Sequence, residues 1–200
     1  AEHAKAREAM APIYAGFMTM TPEALAADSK AMGIGERLFV NNCAGCHGSD
    51  ARGGKSFPNL TDNDWLGGTG VDYIAKTIAE GRQGMMPPMA AAVGSAEDVK
   101  NVAHYVLSLS GSAHDSIRAQ LGKSKFGACA ACHGADGKGM QAMGAPNLTD
   151  AVWLYGSDPA TITRIVHDGP FGVMPAWTGR LSEADIRAVA AYVHSLGGGE

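Results

Sequence analysis

Aromatic side chains are scarce in this chain: Phe, Trp and Tyr make up only 6% of its 200 residues. That length fits one domain or two small ones. With so few rings, a pair of small domains would be marginal on its own cores and would need a metal, a staple or a cofactor. Long apolar runs are missing as well. No stretch is long enough to cross a bilayer, and no secretory leader is present. Charge is not concentrated either: the formal net charge is −4, residues 33–110 hold six basic and eight acidic side chains, and residues 119–200 hold six and seven. Without a basic patch, nucleic acid is excluded as an expected partner. No period-two strand pattern stands out, so the expected fold is all-α.

Cysteine is rare too, with four in all, and every one falls in a Cys-x-x-Cys-His motif. The motifs are Cys43-Ala44-Gly45-Cys46-His47 and Cys129-Ala130-Ala131-Cys132-His133. Each is the attachment signature of a c-type haem, with two thioether-forming cysteines and a histidine placed to ligate the iron. No cysteine remains for a disulfide. Four cysteines can also make a zinc site, but that reading leaves both adjacent histidines without a role. The expected cofactors are two covalently bound haem c groups. Each would supply the apolar mass that the scarce aromatics do not. Their propionates would add negative charge, which suits a cationic redox partner. Such haems are attached outside the bacterial cytoplasm, so the expected chain is an exported one in processed or truncated form.

The halves of the chain are copies. Pro58-Asn59-Leu60-Thr61-Asp62 recurs as Pro146-Asn147-Leu148-Thr149-Asp150, each followed by Trp-Leu at Trp65 and Trp153. Gly81 matches Gly169, and Met86-Pro87 matches Met174-Pro175; the offset is 86 at the cysteines, 88 through Met-Pro and 87 in the last helix. Ser95-Ala96-Glu97-Asp98 and Ser182-Glu183-Ala184-Asp185 read as helix N-caps. Apolar residues at helical spacing follow each: Val99, Val102 and Val106, then Ile186, Val189 and Val193. Other helices are expected at 72–80 and 159–168, ahead of each Met-Pro, and at 34–43 and 116–130, leading into each cysteine motif. The expected organisation is an N-terminal extension at 1–32, one domain at 33–110, a linker at 111–118 and a second domain at 119–200. The extension would form one or two short helices on the first domain, or a spacer.

A haem iron held by one histidine needs a second ligand or an open position, and methionine is the usual choice in electron carriers. Met174 lies 41 residues beyond His133, and Met86 lies 39 beyond His47. In the first half Met85 and Met89 share the same loop, so Met89 stands as a rival to Met86. His3, His104, His114, His167 and His194 have no matching partners in the repeat and read as solvated or packing residues. Pro58 and Pro146 are candidates to accept the second ring N–H of the motif histidines. Trp65 and Trp153 read as packing residues, with an indole N–H available to a propionate.

From about residue 33 the chain resembles class I c-type cytochrome domains in tandem. Gly144–Asp150, Trp153-Leu154-Tyr155-Gly156, Phe171–Trp177 and Ala191–Glu200 resemble the di-haem subunit III of cbb3-type cytochrome c oxidases. The resemblance implies a membrane-anchored electron-transfer subunit at the periplasmic side of the bacterial inner membrane. It would take electrons from a small donor c-type cytochrome and pass them to the mono-haem subunit and then the oxygen-reducing catalytic subunit. Carried over by position, it implies that His47 and Met86 bind one iron and His133 and Met174 the other, with Cys43, Cys46, Cys129 and Cys132 holding the porphyrins. It implies no catalysis by the subunit itself. The family's N-terminal membrane helix has no counterpart here, so a fragment beginning after the anchor is expected. The second half is also one residue shorter between Gly122 and Cys129 than the first is between Gly35 and Cys43, which bears on the helix leading into its motif. A soluble two-haem shuttle is the competing reading. A di-haem peroxidase is a third, but it would need an open iron position that two Met-Pro loops argue against.

Overall fold

A computed structural model describes residues 2–199, with side chains from residue 8 onward. Among these residues the fold is helical, with helices α1 (Glu2–Thr19), α2 (Pro22–Ala27), α3 (Ser29–Asn42), α4 (Ala44–His47) and α5 (Val71–Glu80) preceding strand β1 (Arg82–Met85). Then come α6 (Ala90–Val93), α7 (Ala96–Leu109), α8 (Ser116–Lys123), α9 (Gly127–His133), α10 (Pro159–Asp168), strand β2 (Phe171–Met174) and α11 (Glu183–Ser195). The helices at 72–80 and 159–168 form as expected from their periodicity. Both capping boxes are complete: Ser95 pairs with Asp98 and Ser182 with Asp185. A cap of this kind is worth about 1 kcal/mol.

The chain divides into two compact units that do not follow the repeats. One runs to Arg82 and resumes at Val173; the other is the continuous stretch Gln83–Gly172. These compact units cut across the expected limits 33–110 and 119–200: each takes its last helix from the other repeat.

In the discontinuous unit, α11 packs on α3 and α5. Phe39, Ile74, Ile78, Ile186, Val189 and Val193 bury together there. Gly35 allows the close crossing of α3 and α11, because a Cβ on it would strike the Ala188 carbonyl and the Tyr192 side chain. The Phe39 and Tyr192 rings meet at 5.6 Å. The N-terminal extension belongs to this unit as helices, not as a spacer. Phe17 and Leu25 join its core, and Arg187 of α11 donates to the Phe17 and Met20 carbonyls at 3.1 and 2.8 Å.

The continuous unit repeats this plan with the other closing helix. Here α7 packs on α8 and α10, around Val99, Val102, Val106, Phe126, Ile162 and Val166. Gly122 fits against the Asn101 carbonyl as Gly35 fits against Ala188. Tyr105 meets Phe126 edge-on at 5.2 Å. The cause of the exchange is short-range. Only residues 110–115 separate α7 from α8, and so brief a connection keeps consecutive helices adjacent. The expected linker is correspondingly too long, since Asp115 already caps α8. The missing residue before Cys129 also has a visible effect. The helix expected at 116–130 breaks at Ser124–Phe126, and the motif sits on a separate α9.

Candidate haem-iron centres

Each cysteine motif lies on a short helical turn that presents Cys, Cys and His in sequence. In the discontinuous unit, Cys43 ends α3 and His47 ends α4. His47 Nδ1 donates to the Pro58 carbonyl at 3.1 Å. In the continuous unit, His133 is buried at the end of α9 and its Nδ1 donates to the Pro146 carbonyl at 3.0 Å. With Nδ1 acting as donor to a carbonyl, Nε2 of each ring carries the free lone pair that binds a metal. Burial also pulls the His47 pKa below the ordinary histidine value, against the opposing effect of the Pro58 carbonyl, which favours the neutral, ligating ring.

The prolines are held in place by a clamp that the motif pattern did not reveal. Asn59 Oδ1 accepts from both Thr61 N and Thr61 Oγ1 at 2.8 Å. Asn147 Oδ1 accepts from Thr149 N at 2.9 Å and from Thr149 Oγ1 at 2.8 Å. These Asx turns stiffen the segment that begins with the accepting carbonyl. The backbone returns to the motif as well: Gly53 N donates to the His47 carbonyl at 2.7 Å and Gly139 N to the His133 carbonyl at 2.8 Å. The shared Asn and Thr were the available signal.

The methionines are placed differently from the positional expectation. Met174 lies in the discontinuous unit with His47, and packs against that unit's buried core, as do Cys43, Ala44, Leu60 and Trp65. Met86 lies in the continuous unit with His133. Neither expected pair, His47 with Met86 or His133 with Met174, shares a unit. Met89 packs into the valine-rich core of the continuous unit and caps α6. Met85 is 74% exposed.

The cysteine pairs are likewise divided, Cys43 and Cys46 in one unit and Cys129 and Cys132 in the other. Among the described residues no cluster of three or more His, Cys, Asp or Glu side chains is assembled. Burial, reinforced by Cys46, pushes the Cys43 thiol up to about 11, and burial raises Cys129 in the same direction. Burial thus favours the neutral form of both thiols. The remaining histidines are occupied locally. His104 Nδ1 accepts from Asp115 N at 3.0 Å, and His194 Nδ1 donates to the Thr69 carbonyl at 2.9 Å. His114 bonds to the Ser112 carbonyl and His167 to the Asp168 carboxylate. The side chain of His3 lies outside those described.

The two tryptophans differ despite their matching positions. Trp65 Nε1 donates to the Asp62 carbonyl at 2.8 Å. Trp153 Nε1 is buried with no hydrogen-bond partner among the described residues. A buried, unpaired donor is costly, and a haem propionate would supply the missing acceptor. The donor set therefore fits haem c in both units: two thiols, one oriented imidazole, one thioether, and in the continuous unit an indole N–H awaiting an acceptor.

A family profile described as cytochrome c oxidase, cbb3-type, subunit III, matches residues 30–106 and 119–193. The chain belongs to that family. Among its relatives is the cbb3-type cytochrome c oxidase subunit CcoP of Rubrivivax gelatinosus, 61% identical over 196 residues, covering 98% of this chain and 64% of that protein. Subunit CcoP of Cereibacter sphaeroides is 45% identical over 208 residues, covering 96% of this chain and 72% of that protein. Subunit FixP of Azorhizobium caulinodans is 48% identical over 182 residues, covering 86% and 62%. The chain thus spans about two thirds of the length of these subunits. As a cbb3-type subunit III sequence it matches the family profile in both repeats, while among the described residues no helix is long and apolar enough to cross a membrane.

Proposed function

We propose that this chain is a two-haem, one-electron relay of a cbb3-type oxidase, working at the periplasmic face of the bacterial inner membrane. It accepts electrons from a small donor c-type cytochrome and delivers them to the mono-haem subunit and thence to the oxygen-reducing catalytic subunit. Cys43 and Cys46 hold one porphyrin and Cys129 and Cys132 the other. His47 and His133 would hold the irons through their imidazoles, and Met86 and Met174 would supply the thioethers. The observation that carries this reading is the repeated construction in which a proline carbonyl orients a motif histidine and a Met-Pro loop is seated in the same unit.

The bound groups supply reversible one-electron chemistry. The chain's own residues determine how it is used. Pro58 and Pro146 fix the imidazole rings, so that little reorganisation accompanies a change of charge. Thioether ligation favours the reduced state and raises the potential. With a histidine and a methionine available to each iron, neither site would be left open for substrate, which would separate a relay from an enzyme.

Adding the holoprotein back to an oxidase complex stripped of this subunit tests the proposal. Restored oxygen consumption with a reduced donor cytochrome is the expected result. Donor oxidation without transfer to the complex would favour a free shuttle. Rapid, stoichiometric carbon monoxide binding at one ferrous iron would instead favour a di-haem enzyme.

A further inference from the structure

We propose that the groove between α7 and α10 docks an acidic helical segment of another subunit of the oxidase. This rests on the relay reading above, which supplies the assembly in which such a partner is found.

The groove lies wholly within the continuous unit and has a volume of about 650 Å³. Val99, Lys100 and His104 of α7, Ala160 and Arg164 of α10 and Arg118 of α8 line it. Its cations are incompletely answered. Glu97 is shared between Lys100 at 2.7 Å and Arg118 at 3.0 Å, and the side chain of Arg164 has no partner among the described residues. His104 Nδ1 accepts from Asp115 N, which leaves its Nε2 as the proton-bearing donor. The lining thus combines an apolar floor at Val99 and Ala160 with a surplus of hydrogen-bond donors and positive charge.

In the discontinuous unit the corresponding face is already covered, and helices cover it. An offset of 87 puts Arg187 of α11 at the position of Lys100, and an offset of 88 puts Asp72 of α5 at that of Ala160. Arg187 lies 3.9 Å from Asp72 and donates to the Phe17 and Met20 carbonyls at 3.1 and 2.8 Å. Helices α1 and α2 pack on α11 there, with Phe17 and Leu25 fully buried. In the continuous unit no described helix takes that place, and the groove is what remains. The walls differ in a way that defines the occupant. Ala31 and Ala191, both fully buried, stand where the continuous unit has Arg118 and His104. A helix seated in the groove therefore meets charged and polar walls instead of methyl groups, and carboxylates on it would complement Arg164, Lys100 and Arg118. The chain's own extension is a poor match, because residues 8–27 hold only Glu8 and Glu23 as acids.

Photo-cross-linking in the purified oxidase complex, with the full-length holoprotein in place, tests this. With a benzophenone-bearing phenylalanine replacing Ala160, the expected product joins this chain to an Asp- and Glu-rich segment of another subunit. A product with a second copy of this chain, with lipid or with an uncharged segment would overturn the proposal, as would no product from an intact complex. Binding of the holoprotein to a complex stripped of this subunit is the second readout. Lys100→Glu/Arg164→Glu should weaken it about tenfold at low salt and flatten its salt dependence, with the haem spectra unchanged. Undiminished binding would overturn the docking site. If that variant does not fold, Lys100→Gln/Arg164→Gln should show a smaller loss in the same direction, and no loss would again overturn it. Failure of the parent holoprotein to bind the stripped complex would defeat the relay reading itself, which is a distinguishable result.

Discussion

Gly81 closes α5 against the carbonyl of Met174, a residue from the far side of the sequence repeat. Its own copy of that methionine, Met86, rests instead on Gly169. Both glycines have positive φ, where a side chain is strained, and both are in close contact with the loop that they support.

Replacing either glycine by alanine should therefore be costly and selective. A residue forced into the left-handed region costs roughly 1–3 kcal/mol, and the added methyl pushes on the loop backbone. Gly81→Ala should lower the melting temperature and weaken the thioether band of one haem; Gly169→Ala should do so for the other. A circular-dichroism melt with parallel near-infrared spectra checks both, and an unchanged band in each variant would contradict the seating role.

The asparagine clamps predict a different signature. Asn59→Ala removes the acceptor for two hydrogen bonds, as does Asn147→Ala, so each should cost about 1–2 kcal/mol. Looser proline carbonyls would let the imidazole rings turn, which broadens the distribution of ferric spectra. Electron paramagnetic resonance of the ferric holoprotein should show wider g-value spread in each variant. Lines as sharp as those of the parent would show that the clamp does not control ring orientation.

Trp65 and Trp153 should respond unequally to the same substitution. In the apoprotein, Trp65→Phe loses the bond to the Asp62 carbonyl and should cost about 1 kcal/mol. Trp153→Phe removes a donor that has no protein partner, so the apoprotein should be little affected. In the holoprotein Trp153→Phe should lower the potential of one haem, because a propionate without its donor leaves more negative charge beside the iron. Urea titrations and potentiometry read the two effects separately.

Acid should loosen α7 through its cap. The Asp98 carboxylate accepts from Ser95 N at 2.9 Å and Ser95 Oγ at 2.8 Å, with Lys125 beyond, and these hold its pKa below the ordinary carboxylate value. A depressed pKa contributes stability above the unfolded value of about 4, and that contribution is lost as pH falls through the folded pKa. The melting temperature should therefore drop on acidification below about pH 4, less steeply in Asp98→Asn. Equal slopes for parent and variant would remove the capping box from the acid response.

Much of each candidate centre was legible in the sequence because the candidate ligands sit in repeated, chemically distinctive strings. Cys-x-x-Cys-His, Pro-Asn-Leu-Thr and Met-Pro each survived duplication intact, as did the glycines at the helix crossings. That same fidelity hid the pairing. Gly35 and Gly122 accept a closing helix equally well, and Val102 and Val189 present equivalent faces. An alignment of two copies says which residues correspond, not which copy they touch. The deciding information lay in the brevity of residues 110–115 and in charges such as Arg118 and Lys125 that only one repeat has. Trp153 illustrates a second limit: its match to Trp65 gave no hint that only one indole would find a carbonyl.

The two passages of chain between the units, within β1 and β2, make the molecule an insertion. Residues 83–172 form one uninterrupted stretch, whereas the other unit is assembled from both ends of the chain. The inserted unit can close using contacts among its own neighbours, and local closure is fast. Its host must wait for α11, whose partners α3 and α5 were made more than a hundred residues earlier. The second motif in the sequence therefore belongs to the first unit that can be finished.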